Sequence, residues 1–277
     1  MKWRQLFTPV QSIDTQKLKE YITKHKAGRY TLLDVRQPSE YKRGHIPGAR
    51  LIPLPDLADQ WVEINPEEPV IVYCAVGGRS RAAAQMLAGN GLKEVYNVNG
   101  GIKAWNDRTA TGPIETGSPL LKGDESLETV IAIAYGMEDG LEKFYNTMAD
   151  KVYDIDTIDV FSQLAGIEEQ HKGRLFQLYL IETHTVIAEG QFKSDVAINV
   201  MEGGYTVEDF IEQNQEALKS VSNVLETAME IETQSLDLYS RYAHKIKDRE
   251  SREILYGMAQ EEKAHLASLG DLLEARV

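Results

Sequence analysis

The sequence contains a single cysteine, Cys74, among its 277 residues, and this excludes an intramolecular disulfide. Long apolar runs are also missing, because the longest, residues 130–134, is far shorter than the roughly 20 residues of a membrane-spanning helix. The first residues lead into no apolar stretch of the signal-peptide type. These absences predict a soluble, cytoplasmic protein with no membrane partner.

Charge is divided unevenly along the chain. Residues 1–112 hold 16 Lys and Arg against 11 Asp and Glu, whereas residues 113–277 hold 14 against 32. Such asymmetry indicates two units with different partners, and a net charge of +5 on the first unit favours small anions. No nucleic-acid-binding motif accompanies this positive charge, so a nucleic-acid partner is not expected.

Two units are predicted, separated by a segment rich in glycine and proline. Residues 113–124 contain two prolines and two glycines, which break any periodic pattern and indicate a linker. The units on either side, residues 1–112 and 125–277, are both long enough to form a domain.

The first unit alternates short apolar runs with helical patterns, which is typical of a parallel sheet with helices on its faces. Strands are predicted at residues 30–35, 49–52, 70–74 and 95–98, and helices at residues 14–25 and 80–88. The expected fold of this unit is therefore α/β.

The second unit shows no convincing strand pattern. Four long helical stretches are predicted, at residues 125–151, 156–187, 214–246 and 249–274. Residues 188–213 form the long connection between the second and third stretches. An all-α four-helix bundle with one long crossover fits this pattern.

Cys74 comes at the C-terminal end of a predicted buried strand, where ligand sites of open α/β sheets lie. A short loop and the start of a helix follow it, namely Ala75, Val76, Gly77, Gly78, Arg79 and Ser80. The N–H groups of such a loop attract anions and lower the pKa of a thiol, which favours the nucleophilic thiolate. We therefore predict that Cys74 and Arg79 are catalytic and that the loop binds an anionic substrate.

The length of this loop distinguishes between chemistries. Cysteine phosphatases place five residues between the cysteine and the arginine, whereas Arg79 comes one residue earlier than that spacing. A smaller ring suits a sulfur atom better than a tetrahedral phosphate. Together with residues 33–41, 44–49 and 99–105, the loop resembles the pattern of a single-domain rhodanese, and this resemblance covers residues 1–112.

The resemblance implies a sulfurtransferase. Cys74 would take a sulfane sulfur from thiosulfate or a similar donor and pass it, as a persulfide, to a thiol or to cyanide. By their place in the family pattern, Asp34 and Arg36 would lie near the loop, either as substrate-binding residues or as a structural ion pair. His45 falls in a turn motif and is expected to be structural.

A set of metal-ligand residue types occurs twice in the second unit, at a constant offset of 94 residues. The first copy is Glu138, Glu168, His171 and Tyr145, and the second is Glu232, Glu262, His265 and Tyr239. Residues three apart share a helix face, so each Glu-x-x-His reaches one metal. The repetition predicts a duplicated helical hairpin with a two-metal site, whose carboxylates accept hydrogen bonds from the two tyrosines.

Charge supports a metal at this site. Burying four carboxylates unpaired costs many kcal/mol, whereas two divalent ions cancel their charge. The ligand set is that of di-iron carboxylate proteins, so two iron ions are the expected cofactor, although manganese and zinc also suit these ligands. His184 and His244 fall outside the pattern and are expected at the surface.

The frame Ala-x-x-Glu-x-x-His-x3-Leu at residues 165–175 and 259–269 resembles the rubrerythrin branch of the ferritin-like superfamily. The resemblance covers residues 125–277 and implies reduction of peroxide or oxygen. This chain departs from it twice, because one cysteine cannot form a four-cysteine iron site and Ser235 replaces an additional Glu. Electrons are therefore expected from an external donor.

The sequence as a whole predicts a sulfurtransferase fused to a di-iron redox domain. Two alternatives stay open: a sensor of peroxide or sulfur species whose first unit relays a persulfide, and an iron-oxidising protein. Because helical bundles of this kind often dimerise, a homodimer is the expected assembly.

Overall fold

The computed structural model describes residues 8–111, 126–151, 153, 155–196, 206–213 and 220–275. Residues 8–111 form an α/β region, and the described residues from 126 onward form a helical region. The predicted linker, residues 113–124, lies outside the described residues.

The α/β region is built on a five-stranded parallel sheet, which confirms the predicted fold class of this unit. Its strands are β1 (Gln11–Ile13), β2 (Thr31–Asp34), β3 (Arg50–Leu51), β4 (Val70–Tyr73) and β5 (Val95–Val98), in the order β1-β5-β4-β2-β3. Four of them correspond to the predicted strands, and β1 was not predicted. Because β4 is the central strand and is wholly buried, the loop that follows it begins at the middle of the C-terminal ends of the strands.

Helices cover both faces of this sheet. They are α1 (Thr15–Lys24), α2 (Pro38–Arg43), α3 (Leu57–Gln60) and α4 (Gly78–Gly89). Side chains along β4 alternate between the faces, so Val70 and Val72 share a core with α3 and α4, whereas Ile71 and Tyr73 share one with α1 and α2. This double cover is what a parallel sheet requires.

The helical region contains two long hairpins. Its helices are α5 (Leu127–Lys151), α6 (Ile155–Thr183), α7 (Glu189–Val196), α8 (Val207–Gln213), α9 (Val221–Lys245) and α10 (Arg249–Glu274). The four long helices match the predicted stretches, and α5 packs against α6 as α9 packs against α10. Two short helices, α7 and α8, occupy the segment that was predicted as a connection only. None of the helices in the described ranges is long and apolar enough to cross a membrane.

A polar layer divides the core of the helical region into two apolar clusters. Both clusters draw side chains from all four long helices, as Leu141, Phe161, Leu225 and Leu269 do in one of them. In each long helix the predicted metal ligands fall between the residues of one cluster and those of the other. The apolar layers therefore close off the ligands from both ends of the bundle.

The outer face of α9 and α10 packs on the α/β region through buried polar contacts. Asp237, which is fully buried, accepts a hydrogen bond from the N–H of Gly48 at 2.9 Å and pairs with Arg241 at 2.7 Å. The Nε2 atom of His45 lies 3.1 Å from the same carboxylate, although its alignment is not that of a hydrogen bond. Burial raises the pKa of Asp237, but Arg241 and His45 outweigh that effect and the pKa is lowered.

A second set of contacts joins α10 to the end of α1. The Lys263 ammonium donates to the carbonyl oxygens of Ile22 and His25 and to the hydroxyl of Tyr30, at 3.1, 3.2 and 3.1 Å. These carbonyls belong to the last turn of α1 and the residue after it, where a cation complements the helix dipole. The two regions are thus joined by charged groups that are buried, as Asp237 is, or half-buried, as Lys263 is.

His244 also lies at this contact, and its predicted surface position is wrong. It is half-buried, its Nδ1 lies 3.2 Å from the hydroxyl of Tyr256, and burial lowers its pKa to about 4. His184, by contrast, is exposed as predicted. The error arose because the α/β region covers a helix face that local periodicity alone assigns to solvent.

We expect Asp237→Asn to lower the free energy of unfolding by about 3 kcal/mol, because Arg241 and His45 lose a buried counter-charge. The pKa of Asp237 is depressed in the folded protein, so its contribution is present above the ordinary value of 3.8 and disappears as pH falls below it. Urea unfolding at neutral and acidic pH measures the difference, which should shrink in acid. Glu226→Gln is the control, because Glu226 bridges to Arg108 from the same helix but is half exposed. Equal losses for the two variants would contradict the assignment.

Candidate active site and candidate metal centre

Cys74 begins a tight loop between β4 and α4, and two glycines permit its shape. Gly77 has a φ of 107°, and its N–H donates to the Cys74 sulfur at 3.1 Å. Gly101 has a φ of 55°, and a Cβ atom there would lie 2.2 Å from the carbonyl oxygen of Cys74. Both positions therefore require glycine, one for the turn and one for the close approach of the chain behind it.

The loop holds the thiol in surroundings that favour its thiolate. Burial raises the pKa of Cys74, but the hydroxyl of Ser80 and the backbone N–H groups of Ser80, Gly77 and Val76 outweigh it, so the pKa is lowered. Cys74 is itself almost fully buried, whereas Val76 at the tip of the loop is 60% exposed. The tip of the loop therefore faces solvent, and the sulfur lies beneath it.

Polar side chains support the loop from β5. The hydroxyl of Ser80 donates to Asn97 Oδ1 at 2.7 Å and lies 3.5 Å from the Cys74 sulfur. The amide nitrogen of Asn97 donates to Ser12 Oγ and to Asn99 Oδ1, both at 3.2 Å. Asn97 is buried and was not singled out from the sequence, although an asparagine inside a core strand is a signal for such a role.

The Arg79 side chain is held in an ion pair with Glu40. Its two terminal nitrogens donate to the two carboxylate oxygens of Glu40, both at 2.7 Å. Glu40 also accepts from the N–H of Gln37 at the start of α2. The first turn of α4 is thereby tied to the first turn of α2, and Glu40 is a residue of the site that sequence reasoning missed.

Asp34 and Arg36 form a buried ion pair at the end of β2. The Arg36 guanidinium donates to both Asp34 oxygens at 2.7–3.0 Å and to the carbonyl oxygen of Gly44 at 2.7 Å. These contacts support the structural alternative for the pair, because the guanidinium is engaged within the fold.

The structure brings the six predicted metal ligands together in the polar layer of the helical region. They are Glu138 on α5, Glu168 and His171 on α6, Glu232 on α9, and Glu262 and His265 on α10. Ligand atoms lie within 4.8 Å of one another in three groups, namely Glu138, Glu168 and His171, then Glu168, Glu232 and His265, then His171, Glu262 and His265. Because two of these groups combine residues of both hairpins, the six residues constitute one centre.

The two hairpins place their ligands alike. The Nδ1 atom of His171 lies 3.4 Å from Glu138 and 3.3 Å from Glu168. The corresponding contacts of His265 are 3.3 Å to Glu232 and 3.2 Å to Glu262. The two imidazole rings stack with centroids 4.5 Å apart, which places the equivalent residues on either side of an approximate two-fold axis.

Two buried carboxylate oxygens indicate whether these residues fit a metal. The Oε1 atoms of Glu168 and Glu232 are inaccessible to solvent and accept no hydrogen bond from the described residues. A buried carboxylate oxygen without a donor is costly unless a cation approaches it. The donor set of four carboxylates and two imidazoles suits iron, manganese or zinc, so the residues fit a two-metal centre.

Glu261 is a neighbour of the centre that the sequence did not reveal. Its carboxylate lies 3.6 Å from the Nε2 atom of His171 and accepts from Arg174 at 2.6 Å. Tyr145 and Tyr239, the predicted partners of the ligand carboxylates, are both fully buried in α5 and α9. Their hydrogen bonds to the ligands remain a prediction.

Comparison with known proteins bears on the α/β region. A family model described as the rhodanese-like domain matches residues 14–108. Residues 14–108 form a rhodanese-like domain. The match contains the whole Cys74 loop and the strands that position it.

Relatives of the rhodanese-like domain occur in several organisms. An uncharacterized protein of Bacillus subtilis, YqhL, is 48% identical over 77 residues, which are 28% of this chain and 61% of that protein. The chloroplastic rhodanese-like/PpiC domain-containing protein 12 of Arabidopsis thaliana is 40% identical over 82 residues, covering 27% of this chain and 26% of that protein. The chain thus spans less than two thirds of these curated relatives.

A solved structure is similar to the rhodanese-like domain over most of its own length. The crystal structure of a rhodanese-like domain protein from Staphylococcus aureus is 34% identical, and the similarity covers 37% of this chain and 98% of that one, with a TM-score of 0.34.

Proposed function

We propose that the rhodanese-like domain is a sulfurtransferase that carries sulfane sulfur on Cys74. The observation that carries the proposal is the loop, which directs backbone N–H groups at a buried sulfur, places the Ser80 hydroxyl 3.5 Å from it and lowers the pKa of its thiol. The same N–H groups and the positive net charge of residues 1–112 favour an anionic donor such as thiosulfate.

The reaction proceeds in two displacements. The Cys74 thiolate attacks the outer sulfur of thiosulfate, an S–S bond forms, and the bond to the sulfonate sulfur breaks so that sulfite leaves with its electron pair. Cyanide or a thiolate then attacks the terminal sulfur of the persulfide, and Cys74 leaves as the thiolate. No net oxidation of the protein occurs, and the N–H donors stabilise negative charge on the sulfur in both steps.

Mass spectrometry tests the covalent intermediate. After incubation with thiosulfate, the peptide that contains Cys74 should gain the mass of one sulfur atom, and added cyanide should remove that mass and release an equal amount of thiocyanate. Cys74 is the sole cysteine, so no other thiol competes for the label. Labelling without release, or release without labelling, would contradict the two-step scheme.

We expect Glu40→Gln to reduce the catalytic efficiency of sulfur transfer roughly 3- to 10-fold, because Arg79 loses the partner that fixes the first turn of α4. The loss of stability should stay below about 1 kcal/mol, since both side chains are partly exposed. The Arg79 guanidinium lowers the pKa of Glu40 to about 2, so the pair persists above the ordinary value of 4.5 and is lost as pH falls through about 2.

Steady-state thiocyanate assays and urea unfolding separate these effects. Glu67→Gln is the control, because Glu67 pairs with Lys93 in the same domain but is exposed and remote from the loop. Unchanged efficiency in Glu40→Gln would show that the ion pair does not position the loop.

We further propose that the helical region is a ferritin-like, rubrerythrin-like bundle whose centre binds two metal ions, with iron as the physiological metal. Glu138, Glu168 and His171 would hold them from one hairpin, and Glu232, Glu262 and His265 from the other. When bound, a pair of iron ions supplies redox chemistry toward peroxide or oxygen, with electrons from an external donor.

The chain contributes the surroundings of that chemistry. The two apolar clusters exclude water from the ligands above and below the polar layer. Each imidazole Nδ1 lies within 3.4 Å of two carboxylates, so the atoms that would bind a metal are already grouped. The rhodanese-like domain contacts the outer face of α9 and α10, whereas these residues point into the core of the helical region.

Metal analysis tests the second proposal. Protein purified without oxygen and loaded with ferrous iron should retain two ions per chain, whereas Glu262→Ala should retain fewer. Peroxide consumption by the loaded protein with a chemical reductant should distinguish an enzyme from a sensor. An enzyme consumes many equivalents of peroxide per chain, whereas a sensor reacts once. Continued uptake of iron far beyond two ions would favour the iron-oxidising alternative.

A further inference from the structure

The Ser80 hydroxyl, behind the active-site loop, has more hydrogen-bond acceptors around it than it has protons. Ser80 has a single hydroxyl proton, yet two acceptors lie around its oxygen: Asn97 Oδ1 at 2.7 Å and the Cys74 sulfur at 3.5 Å. The shorter contact takes the proton in this structure. Ser80 then offers the sulfur a lone pair, which suits a thiol but not a thiolate.

Asn97 is placed to resolve this conflict. It is 1% exposed and lies on the face of β5 that packs toward α4, opposite Ser12 in the strand register. A primary amide presents an acceptor on one side and a donor on the other. If the amide turns over, its nitrogen faces Ser80 and donates to it, and the hydroxyl proton of Ser80 becomes free for the sulfur.

The far side of Asn97 tolerates the same reversal. Its nitrogen now donates to the hydroxyl of Ser12 and the side-chain oxygen of Asn99, both at 3.2 Å. After the turn, the Ser12 hydroxyl donates to the amide oxygen instead, and Asn99 presents its own nitrogen. The three hydrogen bonds of Asn97 are kept with their directions inverted, while the second N–H of the amide gives up the acceptor that it has on the far side. A hydrogen bond from Ser80 to a charged thiolate is stronger than one between neutral groups and offsets that loss.

We propose that Asn97 is a positioning residue whose amide orientation follows the ionisation state of Cys74 and supplies the thiolate with the Ser80 proton. With the thiol, Ser80 donates to Asn97. With the thiolate, Asn97 donates to Ser80, and Ser80 donates to the sulfur. The importance of this relay for sulfur transfer rests on the proposed function, but the relay itself is a property of the thiol and is measured on it.

Substitutions at Asn97 leave the charged groups around the Cys74 thiol unchanged. From α4 comes Arg79, which is paired with Glu40 of α2, and from the end of β2 comes Asp34, which is paired with Arg36. None of them contacts Asn97. A change at position 97 therefore reaches Cys74 through Ser80 or through charge placed at 97 itself.

The rate of alkylation of Cys74 by iodoacetamide as a function of pH gives the thiol pKa directly, because the chain has no other cysteine. Ser80→Ala should raise that pKa by about one unit, the effect of one hydrogen bond to a charged group. Asn97→Asp, which only accepts hydrogen bonds, should also raise it, because the Ser80 proton is then held away from the sulfur. Asn97→Leu, which cannot compete for that proton, should not raise it.

A double-variant cycle separates the relay from simple charge. In the Ser80→Ala background, Asn97→Asp should retain only the effect of its charge, and the shift should be smaller than in the presence of Ser80. Equal shifts in both backgrounds would overturn the proposal, as would an increase with Asn97→Leu as large as that with Asn97→Asp. Normal alkylation behaviour without thiocyanate formation would instead refute the sulfurtransferase function and leave the relay intact.

Nuclear magnetic resonance of the unmodified protein covers the case in which the variants do not fold. The side-chain amide resonances of Asn97 should move with the same apparent pKa as the thiol and should be constant in Cys74→Ser. The amide of Asn90, which donates to the carbonyl of Met86 at 3.0 Å at the far end of α4, serves as the internal control. Asn97 resonances that ignore the thiol titration would overturn the proposal.

Discussion

Cys74→Ser is expected to lower the rate of thiocyanate formation from thiosulfate and cyanide by about a thousandfold or more, to the level of the uncatalysed reaction. A serine hydroxyl fits the space of the thiol, but it stays protonated at neutral pH and forms no persulfide. The hydrogen bonds that lower the pKa of the Cys74 thiol cannot compensate for an oxygen nucleophile with a far higher pKa.

The comparison needs proof that the variant is folded. Far-ultraviolet circular dichroism and the metal content of the helical region should be unchanged, because Cys74 lies in the core of the α/β region and the metal ligands lie between the helical clusters. Val62→Ser, at an exposed site of the same domain, should keep full activity. Thiocyanate formation by Cys74→Ser at the wild-type rate would refute the assignment of the nucleophile.

Replacing a metal ligand by its neutral isostere should cost more stability with metal than without it. Burial raises the pKa of Glu232, but its contacts with Glu262 and His265 outweigh burial and the pKa is lowered, so the fold favours the carboxylate. In the metal-free protein, Glu232→Gln should therefore lower the free energy of unfolding by about 1–3 kcal/mol. With ferrous iron at a hundredfold excess over its Kd, the wild type gains about 2.7 kcal/mol per site, and the variant gains far less. The difference between the two melting temperatures should therefore widen on loading.

Thermal unfolding with and without metal, in an oxygen-free buffer, measures this difference. Glu169→Gln is the matched control, since Glu169 is exposed beside the buried, proposed ligand Glu168 on α6 and its loss should change neither melting temperature by more than a small amount. A Glu232→Gln protein whose melting temperature rises on loading as much as that of the wild type would show that Glu232 does not bind the metal.

The sequence predicted those parts of the fold that local patterns determine. The strand at residues 95–98 and the four long helices follow from apolar runs and helical periodicity, and their positions agree with the structure. β1 has only three residues, and α7 and α8 have eight and seven, so each is too short for a periodic signal. Their conformations depend on the neighbouring elements against which they pack.

Prediction of the site reached a similar limit. The offset of 94 residues selected six residues that the structure brings together, because a duplicated hairpin repeats its buried polar positions. The partner of Arg79 was not predictable in the same way, since Glu40 lies on another helix. The choice between the two roles offered for Asp34 and Arg36 depends on three-dimensional contacts. His244 was misjudged and Glu261 was missed because neighbouring chain segments approach their helix faces.

The contacts of Asp237 and Lys263 determine how far the two halves can be treated as exchangeable modules. A chain divided within residues 113–124 would leave the helical fragment with a carboxylate and an ammonium on a surface shaped to be covered. Recombination of this fragment with an unrelated partner would therefore need compensating substitutions on α9 and α10.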